Sequence, residues 1–213
     1  MATKTWIATT ASTWNTAASW SGGTIPVSGD DIVFNGSGNG NCTMASIVGT
    51  PLFASLTTTG YTGQLILNTT IIFTGNITLS GGHTFTTTIG GTLQIRGNST
   101  ITTNGCVLDF ILQLNAINIT VQLADDCIVN RGFQAYGTPL GSIALQSSVP
   151  GTQRIFTVSN LVGTVQDIDY LNVTDLNSDN GITLWTYAGT VSNSRNWAVM
   201  TTQPPTVSSV TFS

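Results

Sequence analysis

Glutamate is absent from the chain, and lysine and histidine occur once each, as Lys4 and His83. Glu and Lys readily populate the exposed side of a helix, so their scarcity excludes long amphipathic helices. Charged residues make up 7% of the 213 positions, against roughly 25% in an average soluble domain. The net charge is −4, and the only cations besides Lys4 are Arg96, Arg131, Arg154 and Arg195. No basic patch can form from so few, which excludes nucleic acid as a partner. No apolar run approaches the ~20 residues of a membrane-spanning helix, so no membrane partner is expected. Met1 to Lys4 has no apolar stretch behind it, so no secretory leader is expected. A single histidine without a GxSxG elbow leaves a His-dependent triad no support, and His83 reads as an exposed turn residue. Cys42, Cys106 and Cys127 lack metal-ligand spacing and read as small buried residues. A Cys106–Cys127 bridge between neighbouring coils is the alternative, disfavoured by cytoplasmic synthesis. No catalytic residue and no cofactor is expected.

Uncharged polar residues fill the space that charge leaves. Threonine occurs 38 times and glycine 23 times. Thr is β-branched and suits a pleated strand, and Gly supplies turn positions with positive φ. Apolar residues alternate with polar ones at Leu65/Leu67, Ile71/Phe73, Ile77/Leu79, Leu93/Ile95, Leu112/Leu114 and along Ile117/Ile119/Val121/Leu123. Gly and Asn separate these runs, for example at Gly75-Asn76, Gly97-Asn98 and Asn104-Gly105. Ile71, Leu93 and Leu112 open comparable strands about one solenoid repeat apart. The pattern predicts an all-β fold, a single-stranded parallel β-helix, with an antiparallel β-sandwich as the alternative. Residues 1–50, with Trp6, Trp14 and Trp20, read as a cap and first strands, 51–198 as the coils, and 199–213 as an extended tail.

Several acidic pairs invite a chemical reading. Gly29-Asp30-Asp31 reads as an Asx-type turn into the strand Ile32 to Phe34 rather than a carboxylate pair. Asp125-Asp126 and Asp167/Asp169 resemble in kind the carboxylates of polysaccharide hydrolases, which need two carboxyls on one groove. Asp167 and Asp169 share one side of a strand, but no Glu, Lys or second His stands near them in sequence. Asp175, Asn177 and Asp179 place oxygen ligands at alternate positions, as in the first half of a calcium loop. The bidentate Glu is missing, so a solvated turn is the simpler reading. Thr57/Thr59, Thr84/Thr86/Thr88 and Thr100/Thr102 offer Thr-x-Thr steps, but their uneven spacing argues against an ice-binding ladder. In the tail, Pro204-Pro205 cannot donate to a ladder. Val207, Val210 and Phe212 then read as a lone strand suited to β-augmentation on a partner.

The N-terminal pattern Thr5-Trp6, Thr13-Trp14-Asn15, Ala18-Ser19-Trp20-Ser21 and Ile25-Pro26-Val27-Ser28-Gly29-Asp30-Asp31-Ile32-Val33-Phe34 resembles β-helical virion proteins of tailed phages, many aquatic. Their far end is similar to Asp169-Tyr170-Leu171-Asn172-Val173-Thr174-Asp175, followed by Gly181 to Trp185 and Asn196-Trp197. Autotransporter-like and adhesin repeats share the N-terminal block. The resemblance implies a structural role in a virion assembled in the host cytoplasm, as a subunit decorating or cementing the capsid. It implies self-association as a homotrimer and contact with the major capsid protein or other virion proteins. A tail-fibre module reading a host surface glycan and an adhesin fragment are the alternatives. It carries over no catalytic motif.

Overall fold

Strands of two to five residues cannot bury an apolar face by themselves and must stack on one another. The structure, a computed structural model, describes residues 1–202 apart from 46, 48, 81–83, 87–90 and 162. Each strand pairs with the strand one coil later, so a coil carries three strands and the molecule is a parallel β-helix with three faces. The first face is a nine-stranded sheet running from Thr3–Thr5 to Thr190–Ser192. The second is two four-stranded sheets, Ser12–Thr13 to Thr84–Thr86 and Val107–Leu108 to Leu176–Asn177. The third has eight strands, from Leu52–Phe53 to Trp197–Met200. Every pairing between these strands is parallel, which rules out the sandwich alternative. Among the described residues no helix is long and apolar enough to cross a membrane.

The core consists of inward columns of like residues. On the third face Ile71, Leu93, Leu112 and Phe133 stack in register, as the sequence period predicts for the first three. On the first face the column is Ile32, Leu56, Ile77, Ile101 and Leu123. Cys42, Leu65 and Phe85 form a column on the second. All three cysteines are buried free thiols. Cys106 and Cys127 immediately precede the register pair Val107↔Ile128, but Cys106 donates to the Ser80 carbonyl at 3.1 Å instead of forming a bridge. Outward on the first face, Thr57, Thr78 and Thr102 stack in one row of single threonines.

Asparagine and glycine work at the corners. Asn41, Asn76, Asn98 and Asn172 each accept, through Oδ1, a backbone N–H of the next coil, from Gln64, Thr100, Thr120 and Thr190 at 2.8–3.1 Å. Each such bond is worth about 0.5–1.5 kcal/mol net. Coils approach so closely at Gly189 that a Cβ there would lie 1.9 Å from the Leu171 carbonyl oxygen. The run from Ile117 does not form one strand. Asn118 adopts φ 58°, Ile117 is left exposed, and the strand begins at Thr120.

The first coils are roofed by indoles, and Trp6, Trp14 and Trp20 are buried. Trp20 meets Trp6 and Trp14 edge-on at 5.2 and 4.8 Å, and Phe34 at 5.8 Å. Two indole N–H groups donate to backbone carbonyls, Trp6 to Gly40 at 3.0 Å and Trp20 to Trp14 at 2.8 Å. At the far end the strand Trp197–Met200 carries the β-helix into the region expected to be tail. Residues 203–213, with Val207, Val210 and Phe212, lie outside the described residues.

Replacing Trp20 by alanine should lower stability by about 3–5 kcal/mol, the cost of an emptied aromatic site. A urea titration followed by far-UV circular dichroism checks this. Gly189→Val should destabilise the last coils through its clash with the Leu171 carbonyl.

Candidate functional site

The same alternation that turns apolar residues inward turns polar residues outward, in register from coil to coil. On the third face the column alternating with the core residues reads Gln94, which is itself buried, then Gln113, Gln134 and Asp167. Strands lie ~4.8 Å apart, which brings successive amides within bonding reach. The Nε2 of Gln94 donates to Oε1 of Gln113, and Nε2 of Gln113 donates to Oε1 of Gln134 at 2.8 Å. The neighbouring outward column is Tyr136, Asp169 and Tyr187. The Tyr136 hydroxyl interacts electrostatically with Asp167 and Gln113, which couples the two columns.

Electrostatics follow from this crowding. Partial burial first, and the Asp167 charge second, push the Tyr136 hydroxyl up to about 12. Burial and then the Asp167 charge hold the Asp169 carboxyl above the ordinary carboxylate range. Tyr170, at the corner after Asp169, takes a left-handed φ of 50°, uncommon for a bulky residue. Its ring meets Tyr187 edge-on at 5.6 Å. Trp185 lies two residues before Tyr187 on the same side of its strand and is 44% exposed. The strands Val165–Asp169 and Leu184–Tyr187 share a single register pair, Asp169↔Tyr187. Gln166 bridges the rest of the gap, accepting from the Trp185 N–H at 2.6 Å and donating to the Thr183 carbonyl. The arrangement is a flat outward surface of planar amides, carboxylates and aromatic rings.

Other acidic candidates are tied to the backbone. Asp30 is buried and accepts from the N–H groups of Val27 and Ala2, which extends the expected Asx turn to the N-terminus of the first strand. Asp31 accepts from the Ser55 hydroxyl at 2.6 Å. Asp125 accepts from the Thr103 and Asn104 N–H groups, and Asp126 from that of Ile155, so this pair staples corners. The three oxygen ligands of the calcium reading have separate partners. Asp175 is buried and bonds the Gly151 N–H and the Asn193 amide. Asn177 caps the Asp179 N–H at 2.8 Å, and Asp179 pairs with Arg195 at 2.8 Å. Among the described residues no three His, Cys, Asp or Glu side chains gather as a metal set. His83 lies outside the described residues.

Sequence reading singled out Asp167 and Asp169 but missed the amides and rings around them. A signal was present: Leu93-Gln94-Ile95, Leu112-Gln113-Leu114 and Phe133-Gln134-Ala135 repeat apolar-Gln-apolar at the coil period. Comparison with protein-family models, curated proteins and solved structures found no significant match.

Asp169 has a raised pKa in the folded state, so folding favours its protonated form, and its ionisation opposes folding as pH rises through the folded value. Asp169→Asn should therefore melt higher than the unsubstituted protein at neutral pH, with the advantage shrinking below the ordinary carboxylate range. Thermal melts across that pH interval check it. Millimolar calcium should leave the melting temperature unchanged, because Asp175 and Asp179 already have protein partners.

Proposed function

We propose that the chain is a structural subunit of a phage virion, a rigid β-helix decorating the capsid surface as a homotrimer and held by its C-terminal end. The observation that carries this reading is the difference between the two ends of the coil stack. At the N-terminal end, indoles cover the first coils and two of their N–H groups have carbonyl acceptors. At the other end, no described strand follows Thr190–Ser192 or Trp197–Met200 on their sheets. Trp197 stacks on Phe156 at 5.9 Å and is 9% exposed, and its buried indole N–H has no acceptor among the described residues. A sheet edge with no described strand beyond it, near a donor with no acceptor among the described residues, is a place that an added strand could complete. The major capsid protein, another virion protein or a sister subunit is the partner that this end suits. Low charge and corners stapled by side-chain hydrogen bonds also suit a surface element that meets proteases.

Purified particles test the assignment. Capsid decoration gives copies in the hundreds per particle by quantitative mass spectrometry, whereas absence from particles or a few copies would overturn it. A chain ending at Thr202 keeps every described strand but lacks Val207, Val210 and Phe212. It should fold with an unchanged melting temperature and fail to incorporate, and full incorporation would remove the C-terminal attachment.

A further inference from the structure

We infer that the outer side of the third face, at the coils carrying Tyr136, Asp167, Asp169, Trp185 and Tyr187, binds a glycan chain without acidic groups. This goes beyond the structural role and does not depend on which particle carries the subunit. The inference starts from a departure from the rest of the surface. On the first face, by contrast, an outward row consists of the single threonines Thr57, Thr78 and Thr102. Here Tyr136, Asp169 and Tyr187 stand in register on neighbouring coils, and Asp167 and Trp185 lie two residues away on the same strands as Asp169 and Tyr187.

Each part has a role in sugar recognition. A pyranose has an apolar side of C–H groups and an equatorial rim of hydroxyls. An exposed indole with a polar edge matches the first, and planar carboxylate or amide groups match the second. Trp185, 44% exposed, is the platform, and Tyr187 lies two residues along the same side of its strand. Tyr187 is held edge-on against Tyr170, so its orientation is set before any ligand arrives. Asp167 and Asp169 stand on the adjoining coil in register with Gln134 and Tyr136. The Gln134 and Gln113 amides extend the polar track along the coil axis. An extended polymer lying along that axis would meet one polar group per strand, every ~4.8 Å.

Charge chooses among glycans. The patch carries Asp167 and Asp169. Arg96, next to the strand Thr92–Ile95, is three strands away, roughly 14 Å at the usual strand spacing. Arg131, at the start of the strand Gly132–Tyr136, is engaged with Asp109 at 2.9 Å. A uronate, sialylated or phosphorylated polymer would be repelled, while a neutral or amino-sugar polymer would not.

The test uses the full chain. Trp6, Trp14, Trp20 and Trp197 are buried, so a change in tryptophan emission on binding reports on Trp185. The protein is screened on an array of neutral, amino and acidic glycans, then titrated with a soluble dextran, a chitosan oligomer and polygalacturonate. The expected result is binding confined to neutral or amino glycans, with an emission shift. Binding should weaken by about tenfold or more in Trp185→Ala, the usual scale for losing an aromatic anchor. Tyr187→Ala should weaken it too, and both variants should keep the wild-type melting temperature. Thr120→Ala, on the first face, should bind as wild type. Failure to bind any neutral or amino glycan would overturn the inference, as would binding unaffected by Trp185→Ala. So would a Trp185→Ala protein that changes oligomeric state in sedimentation, since the patch would then be a contact between copies. None of these outcomes alters the copy number on particles, so the two proposals fail separately.

Discussion

The parallel backbone ladder between successive coils is the constraint on which everything else in this molecule depends. Each coil offers its N–H and C=O groups to the next, so three faces grow together and none can shift register alone. A slip of one residue would turn Leu93 outward and Gln94 inward, away from Leu112 and Gln113. The apolar columns are therefore both the core and the register lock. The composition follows from the same constraint. Thr and Val tolerate the strand positions, and Gly and Asn tolerate corners where backbone crosses backbone or φ turns positive, as at Asn104 and Asn193.

A stack with this geometry has two ends, and they are treated differently. The N-terminal end uses its largest side chains as a lid, and the Trp6 and Trp20 N–H groups of that lid have backbone acceptors. The C-terminal end exposes Val199 and leaves the Trp197 donor without an acceptor among the described residues. Buried polar groups without partners are rare in finished structures, since each costs about 1–3 kcal/mol. The cost is repaid when something else covers that end. This asymmetry gives the virion proposal its physical content, and it concerns backbone and core, separately from the patch on the third face.

The outward side of a solenoid is freer to vary, because the inward columns form the apolar core. In register, outward residues still become neighbours, so a chemical surface can be assembled from coils far apart in sequence. The Gln94, Gln113 and Gln134 ladder is the clearest case: Gln94 donates to the Gln113 amide oxygen, and Gln113 donates to that of Gln134. The electrostatic coupling of Tyr136 to Asp167 extends that logic across two columns, and the Asp169 carboxyl shares the same crowded, partly buried setting. Tyr170 in a left-handed conformation shows that the corner beside it tolerates local strain.

Much of the fold was legible in the chain itself. The scarcity of Glu and Lys, the alternation and the Gly and Asn corners determined an all-β chain, and the spacing of Ile71, Leu93 and Leu112 determined their stacking. Period-2 patterning is local, so it survives in the sequence. What only the tertiary structure decided is which outward residues meet. Tyr136, Asp169 and Tyr187 have no common spacing, because loops of different length separate their coils. Asp175 looked like a free ligand but is buried under two donors from neighbouring coils, Gly151 and Asn193. The strand Trp197–Met200 likewise extends the stack past the boundary suggested by the sequence, because pairing with Leu184–Tyr187 holds it there. Local chemistry determines a strand, but only the ladder between coils determines its neighbours, and the candidate site is made of neighbours.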